Sequence, residues 1–103
     1  MAKLEDVRRA HPVKDQAAYD RACADADLAG RLAEIVYRLR TGAALTQTEL
    51  ARRMGTTQSA IARVESGGST PTLGLLDRVG RAVGAEIVLS VSGEVVHLGA
   101  TAP

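Results

Sequence analysis

The stretch Gln47 to Val64, QTELARRMGTTQSAIARV, constrains this chain more than any other. Thr46 and Glu49 have the Thr-x-x-Glu spacing of a capping box, which starts a helix by satisfying orphan backbone N–H groups at its amino end. Leu50, Ala51 and Met54 give that helix an apolar side, and Gly55 breaks it at a position suited to a positive φ. Thr56 and Thr57 supply hydroxyls to start a second helix, whose Ile61 and Val64 lie one turn apart and face inward. Gln58, Ser59, Ala62 and Arg63 are left facing out. Ala51 is small where the two helices should cross. The spacing therefore predicts two short helices meeting at a tight turn.

What surrounds this pair is helical before it and mixed after it. Asp15 can cap a weakly amphipathic helix through Ala17, Ala18, Ala22 and Cys23, with Tyr19 as its one large apolar side chain. Leu28, Leu32, Ile35 and Leu39 then recur at helical spacing, predicting a longer helix from about Asp27 to Arg40. Whether the two helices are continuous is left open by the pattern. Thr41 to Ala44 ends this segment, and Leu45 serves as a hydrophobic staple for the next helix. The breakers Glu65 to Pro71 close the motif. Thr72 restarts the chain, and Leu73, Leu76, Val79 and Val83 predict a fourth core helix stopped by Gly84.

From Ala85 the apolar period becomes alternating. Ile87, Leu89 and Val91 fall on one side and Val88, Ser90 and Ser92 on the other, which is strand spacing. Ser92-Gly93 can turn the chain into a second strand, Glu94 to Leu98. A lone two-stranded hairpin is marginal in water, so its apolar face needs a cover. The same strand of a second copy would give an intersubunit sheet and a two-fold dimer. The alternative is that the hairpin folds back on its own helices. Residues 1–14 read as an arm and Gly99 to Pro103 as a frayed tail.

With 103 residues there is room for one domain with a modest core and short arms. Phe and Trp are absent, so the core must come from small and aliphatic side chains on closely packed helices. Net charge is only +1, but from Arg38 to Val83 seven Arg stand against three acids, a local +4, while both flanks are slightly acidic. Cys23 is the single cysteine, which excludes an internal disulfide and a Cys-rich zinc site; it reads as a small packing residue. His11 and His97 lack ligand neighbours, and Asp20, Asp25 and Asp27 read as capping and solvating carboxylates, so no metal or cofactor is expected. No nucleophile, base and oxyanion donor are spaced for a reaction, and no enzyme is expected. Without a membrane-length apolar run or signal-peptide core, the chain is expected to be soluble and cytoplasmic.

The run LTQTELARRMGTTQSAIARVESGGSTPTLGLLDRVGRAVG resembles the Cro/CI-type (Xre) helix-turn-helix domain over about Leu28 to Gly84. Gln47, Ala51, Gly55, Gln58, Ile61, Val64, Glu65, Gly67 and Pro71 stand in the family's places. The resemblance implies a mainly α helix-turn-helix bundle at residues 27–84, preceded by an extra N-terminal helix at 1–26 and followed by a dimerising strand or hairpin at 85–103. The flanks AAYDRACADADLAGRLAEI and AEIVLSV are similar to those of HigA-type antitoxins, and the strand also to HipB-type antitoxins. Two positions depart from the pattern: Ala44, where Gly is usual, should carry left-handed strain, and Gly80, where Ala is common, should weaken its helix.

By this resemblance the second motif helix enters the major groove of double-stranded DNA with Gln58, Ser59 and Arg63 near the bases. Gln can bond adenine through two edges, and Arg can grip guanine O6 and N7. Thr57 can offer a methyl to thymine or a hydroxyl to phosphate. Gln47 sits where helix-end N–H groups favour a phosphate oxygen, with Thr46, Arg52 and Ser69 as lesser backbone contacts. Arg53 reads instead as solvated surface. Arg40 and Glu65 pair across the first and third helices of the family and read as a structural ion pair. The implied function is that of a homodimeric, palindrome-binding repressor acting as an antitoxin against a small RelE/HigB-like toxin, with Tyr19 and its acidic neighbours as the toxin contact. The alternatives are a stand-alone Xre-family regulator with no toxin partner and, more remotely, a protein-binding adaptor.

Overall fold

A computed structural model describes residues 15–100. The arm expected over residues 1–14, with His11, and the last three residues lie outside the described part. Asp15 opens the first helix, α1 (Gln16–Gly42), its carboxylate accepting the Ala18 N–H at 3.0 Å. Neither proline nor a turn signal interrupts residues 16–29, so the helix runs unbroken across residues 26 and 27. Its 27 residues span about 40 Å at 1.5 Å per residue.

The buried face of α1 is not the Leu28–Ile35 stripe. Ala29, Ala33 and Val36 are buried, Leu32 and Leu39 are partly buried, and Leu28 and Ile35 remain 43% and 44% exposed. The small side chains decide this. They let the helix approach the end of the third helix, where the Gly67 backbone comes next to Gly30. Because burial starts at Ala29, residues 16–28 extend past the bundle, with only Ala18 and Tyr19 half-buried among them. Cys23 is exposed rather than packed.

Helices α2 (Gln47–Met54) and α3 (Gln58–Glu65) form the central pair. Thr46 and Glu49 make both bonds of the capping box, at 3.1 and 3.2 Å, and Gly55 ends α2 at φ +70°. Thr57 caps α3 by accepting the Ala60 N–H. Helix α4 (Leu73–Val83) starts at Thr72 and stops at Gly84, φ +73°. Leu73 is exposed, because it precedes the first turn that meets the core; Leu75 is partly buried instead. Val36, Leu50, Ile61 and Val79, one from each helix, are the largest fully buried side chains, with Leu45, Ala51, Met54, Val64 and Leu76 around them. Each such burial stabilises by roughly 1.5–3 kcal/mol. Ala44 takes φ +59°, the strained conformation expected where glycine is usual.

Strands β1 (Glu86–Val91) and β2 (Glu94–Gly99) pair antiparallel, with Val91 opposite Glu94 and Glu86 opposite Gly99. The two-residue turn Ser92-Gly93 has φ +50° and +85°, matching the twist of the strands. The hairpin is seated on α4 of its own chain. A Cβ on Gly80 would lie 2.8 Å from both the Ala85 carbonyl oxygen and the Gly99 Cα, so Gly80 lets the strand end approach. Gly99 and Ala100 are accordingly not frayed: Gly99 is buried and donates its N–H to Asp77 at 2.7 Å, and Ala100 donates to the Ala85 carbonyl at 3.0 Å. The fold is mainly helical with a C-terminal antiparallel hairpin, as the sequence leads one to expect.

Candidate nucleic-acid interface

The site is built on the exposed side of α3 and the residues that hold it. Ile61 and Val64 anchor the helix in the core, which turns Gln58, Ser59 and Arg63 outward. Ala62 is half-buried on the flank. Beside α3 an open cleft of about 450 Å³ is lined by Thr57, Ser59, Arg63 and Ser69, together with Thr70 and Thr72. Four expected site residues thus share one surface. Thr70 and Thr72, which the sequence reads first as a helix breaker and a restart, line the same cleft, and the Thr72 hydroxyl oxygen also accepts the Leu75 N–H at the start of α4.

Gln47 and Gln58 are joined directly. Gln58 Nε2 donates to Gln47 Oε1 at 2.7 Å, and Gln47 Nε2 donates to Glu65 Oε1 at 3.2 Å. A carboxylate can only accept, so Glu65 fixes the Gln47 amide, which in turn fixes that of Gln58. Gln58 is left with one N–H and its carbonyl oxygen to offer outward, the pair that matches the adenine edge.

Behind the two glutamines lies the ion pair. Arg40 donates from Nε to Glu65 Oε2 at 2.7 Å, from Nη2 to Oε1 at 2.8 Å, and from Nη1 to the Leu45 carbonyl at 2.8 Å. Its guanidinium also sits 5.4 Å from the centre of the Tyr37 ring. The two charged side chains are only 12% and 6% exposed. Burial alone pushes the Glu65 carboxyl up, but hydrogen bonds from Arg40 and Gln47, with the Arg40 charge, hold it below the usual range. The bond to Glu65 raises Arg40 against the opposing effect of burial. The pair joins the end of α1 to the end of α3.

The remaining residues are placed differently. Thr46 accepts the Glu49 N–H on its hydroxyl oxygen and turns both its own N–H and its hydroxyl to the Glu49 carboxylate. Those bonds from Thr46 hold the Glu49 carboxyl below its usual range. Arg52 is exposed on α2. Arg53 is exposed too, yet it is more than solvated surface: its Nη1 donates to the Ala82 carbonyl at 3.2 Å and ties α2 to the end of α4. Tyr19 lies on the projecting part of α1, far along the chain from α3. His97 pairs with Glu86 across the hairpin at 3.0 Å.

No described helix is long and apolar enough to cross a membrane. No curated protein gives a significant match. A family model described as helix-turn-helix matches residues 36–88, more than half of the 103 residues and the whole of α2, α3 and α4. With its capped helix pair, its glycine turn and its outward-facing α3 within that span, the chain belongs to the Cro/CI-type helix-turn-helix family of DNA-binding transcription regulators.

Proposed function

We propose that the protein is a sequence-specific repressor that binds a palindromic operator as a homodimer, controls its own operon in the cytoplasm, and serves as the antitoxin of a type II pair. The observation that carries the DNA reading is the oriented amide of Gln58, held through Gln47 by Glu65 at the start of an exposed α3. Gln58 reads adenine, Arg63 reads guanine, and Ser59 and Thr57 contact base edges or phosphate. Gln47, Thr46, Arg52 and Ser69 approach the backbone. Replacing Arg63 with Ala should weaken operator binding about 10- to 100-fold, from the roughly 1–3 kcal/mol of a bidentate contact. Fluorescence anisotropy on the upstream DNA reads this, and an unchanged affinity refutes the assignment.

The antitoxin role rests on the projecting half of α1. Residues 15–27 carry Asp15, Asp20, Asp25 and Asp27 against Arg21, a net −3, beside Tyr19. That surface suits a small basic RelE/HigB-like toxin. A nuclease-treated pull-down from native cells tests it. A stoichiometric small basic protein, lost on deletion of residues 1–26, supports the antitoxin. Recovery of this chain alone makes it a stand-alone regulator.

A further inference from the structure

We propose that Gly68 is a positioning residue for Arg63: by lacking a side chain it leaves the space in which the Arg63 stem lies, and so sets where the guanidinium meets DNA. The inference rests on the reading of Arg63 as a base contact and names the residue that aims it. A Cβ on Gly68 would lie 3.4 Å from Arg63 Cγ, 3.4 Å from the Arg63 carbonyl oxygen and 3.3 Å from Ser66 Oγ. Two of these atoms belong to Arg63, and the third is bonded to it, since Ser66 Oγ donates to the Arg63 carbonyl at 2.9 Å. The Gly68 N–H donates to the same carbonyl at 3.0 Å. Residues 66–68 are thus folded back over the last turn of α3.

That segment has little room to withdraw. Gly67 sits against α1, where a Cβ would come within 3.8 Å of Gly30 Cα. What must yield to a side chain at position 68 is therefore the stem of Arg63. No polar contact holds that stem: among the described residues the Arg63 side chain has no hydrogen bond, ion pair or ring contact. Arg31, Arg38, Arg40, Arg53 and Arg81 are each bonded through the guanidinium. A long side chain without a polar partner takes its direction from packing. Among the described residues Arg63 is also the one cation lining the cleft beside α3, and residues 66–71 carry no charge. Its direction therefore decides where the positive charge falls. A two-bond grip on guanine needs the planar fork aligned with the base edge, and a displaced stem loses that alignment first.

The experiment measures affinity of the full chain for the upstream operator and its single-base variants. It compares the parent, Gly68→Ala, Gly68→Val, Arg63→Ala and the double variant Gly68→Val with Arg63→Ala, using circular dichroism to establish that each is folded. The base whose preference is lost in Arg63→Ala marks the Arg63 position. Preference for guanine there should fall about tenfold in Gly68→Val and less in Gly68→Ala, while adenine preference at the Gln58 position is unchanged. In the double variant the glycine change should add nothing to the loss from Arg63→Ala. Unchanged guanine preference in both glycine variants, losses that add, or an equal loss at every base each overturn the proposal; if Gly68→Val does not fold, Gly68→Ala decides it. Nuclear magnetic resonance of the free parent tests the seat without DNA. The Arg63 γ protons should show Overhauser contacts to the Gly68 α protons, and their absence overturns the seat. If Arg63→Ala loses no base preference, the base-reading assignment fails, and the seat is then judged by these contacts alone.

Discussion

Gly80 shows how one residue can carry two opposed effects. In an isolated helix, alanine there would stabilise by about 1 kcal/mol. In this fold an added Cβ would meet the Ala85 carbonyl oxygen and the Gly99 Cα at 2.8 Å, both of them backbone. Overpacking of this kind costs roughly 1–3 kcal/mol, so Gly80→Ala should lower stability or at best break even, and the hairpin amides should exchange faster. Urea unfolding with hydrogen exchange measures both. A clear gain in stability would mean that the hairpin seat is loose. Gln47 is the second informative residue, because its amide holds that of Gln58 and is itself held by Glu65. Gln47→Ala should leave Arg63 recognition intact but reduce discrimination for adenine at the Gln58 position by roughly tenfold, about 1.4 kcal/mol within the range of a base contact. Competition binding with single-base operator variants reads it. Equal loss against every base would make Gln47 a phosphate contact only.

Among the elements, α1 and α3 are coupled by the Arg40–Glu65 pair, and breaking it by removing one partner leaves a buried charge. Arg40→Met should therefore cost about 3 to 5 kcal/mol, with unfolding of α3 together with the bundle. Acid should act on the same link. The folded-state pKa of Glu65 is depressed, as is that of Asp77, where the Gly99 N–H holds the carboxylate. Such groups favour folding above their unfolded pKa, near 4, and that contribution is lost as pH falls through the lower folded values. Stability should thus be flat near neutrality and decline below about pH 4. In Glu65→Gln the decline should be shallower from a lower starting point. An identical acid profile in the variant would remove Glu65 from the linkage.

For the whole molecule the charge is divided by task. The segment Arg38–Val83 holds +4, the part before it −1 and the part after it −2, so the helix-turn-helix carries the attraction for DNA. If a dimer neutralises about six phosphates, affinity should fall roughly a thousandfold between 50 and 200 mM salt, with half-sites about 34 Å apart. A flat salt response in a titration would refute groove docking. Much of this molecule is legible one turn at a time. The Thr46–Glu49 box, the Gly55 and Gly84 stops and the Ser92-Gly93 turn each depend on groups within three or four residues of one another. Local spacing therefore fixes the helix pair, its exposed side and the hairpin. Which face of α1 is buried depends on packing, because Ala29 and Ala33 are chosen by the approach of the α3 end near Gly67 and not by their own apolarity. Packing also sets the use of Gly80 and the placing of Gly99 and Ala100, since Asp77 and Gly99 are 22 residues apart. The same holds for the orientation of Gln58, which reaches Glu65 and Arg40 through bonds spanning 11, 18 and 25 residues. Short-range bonds are written in local spacing, whereas these depend on which distant backbones can approach, and that is fixed only when the helices pack.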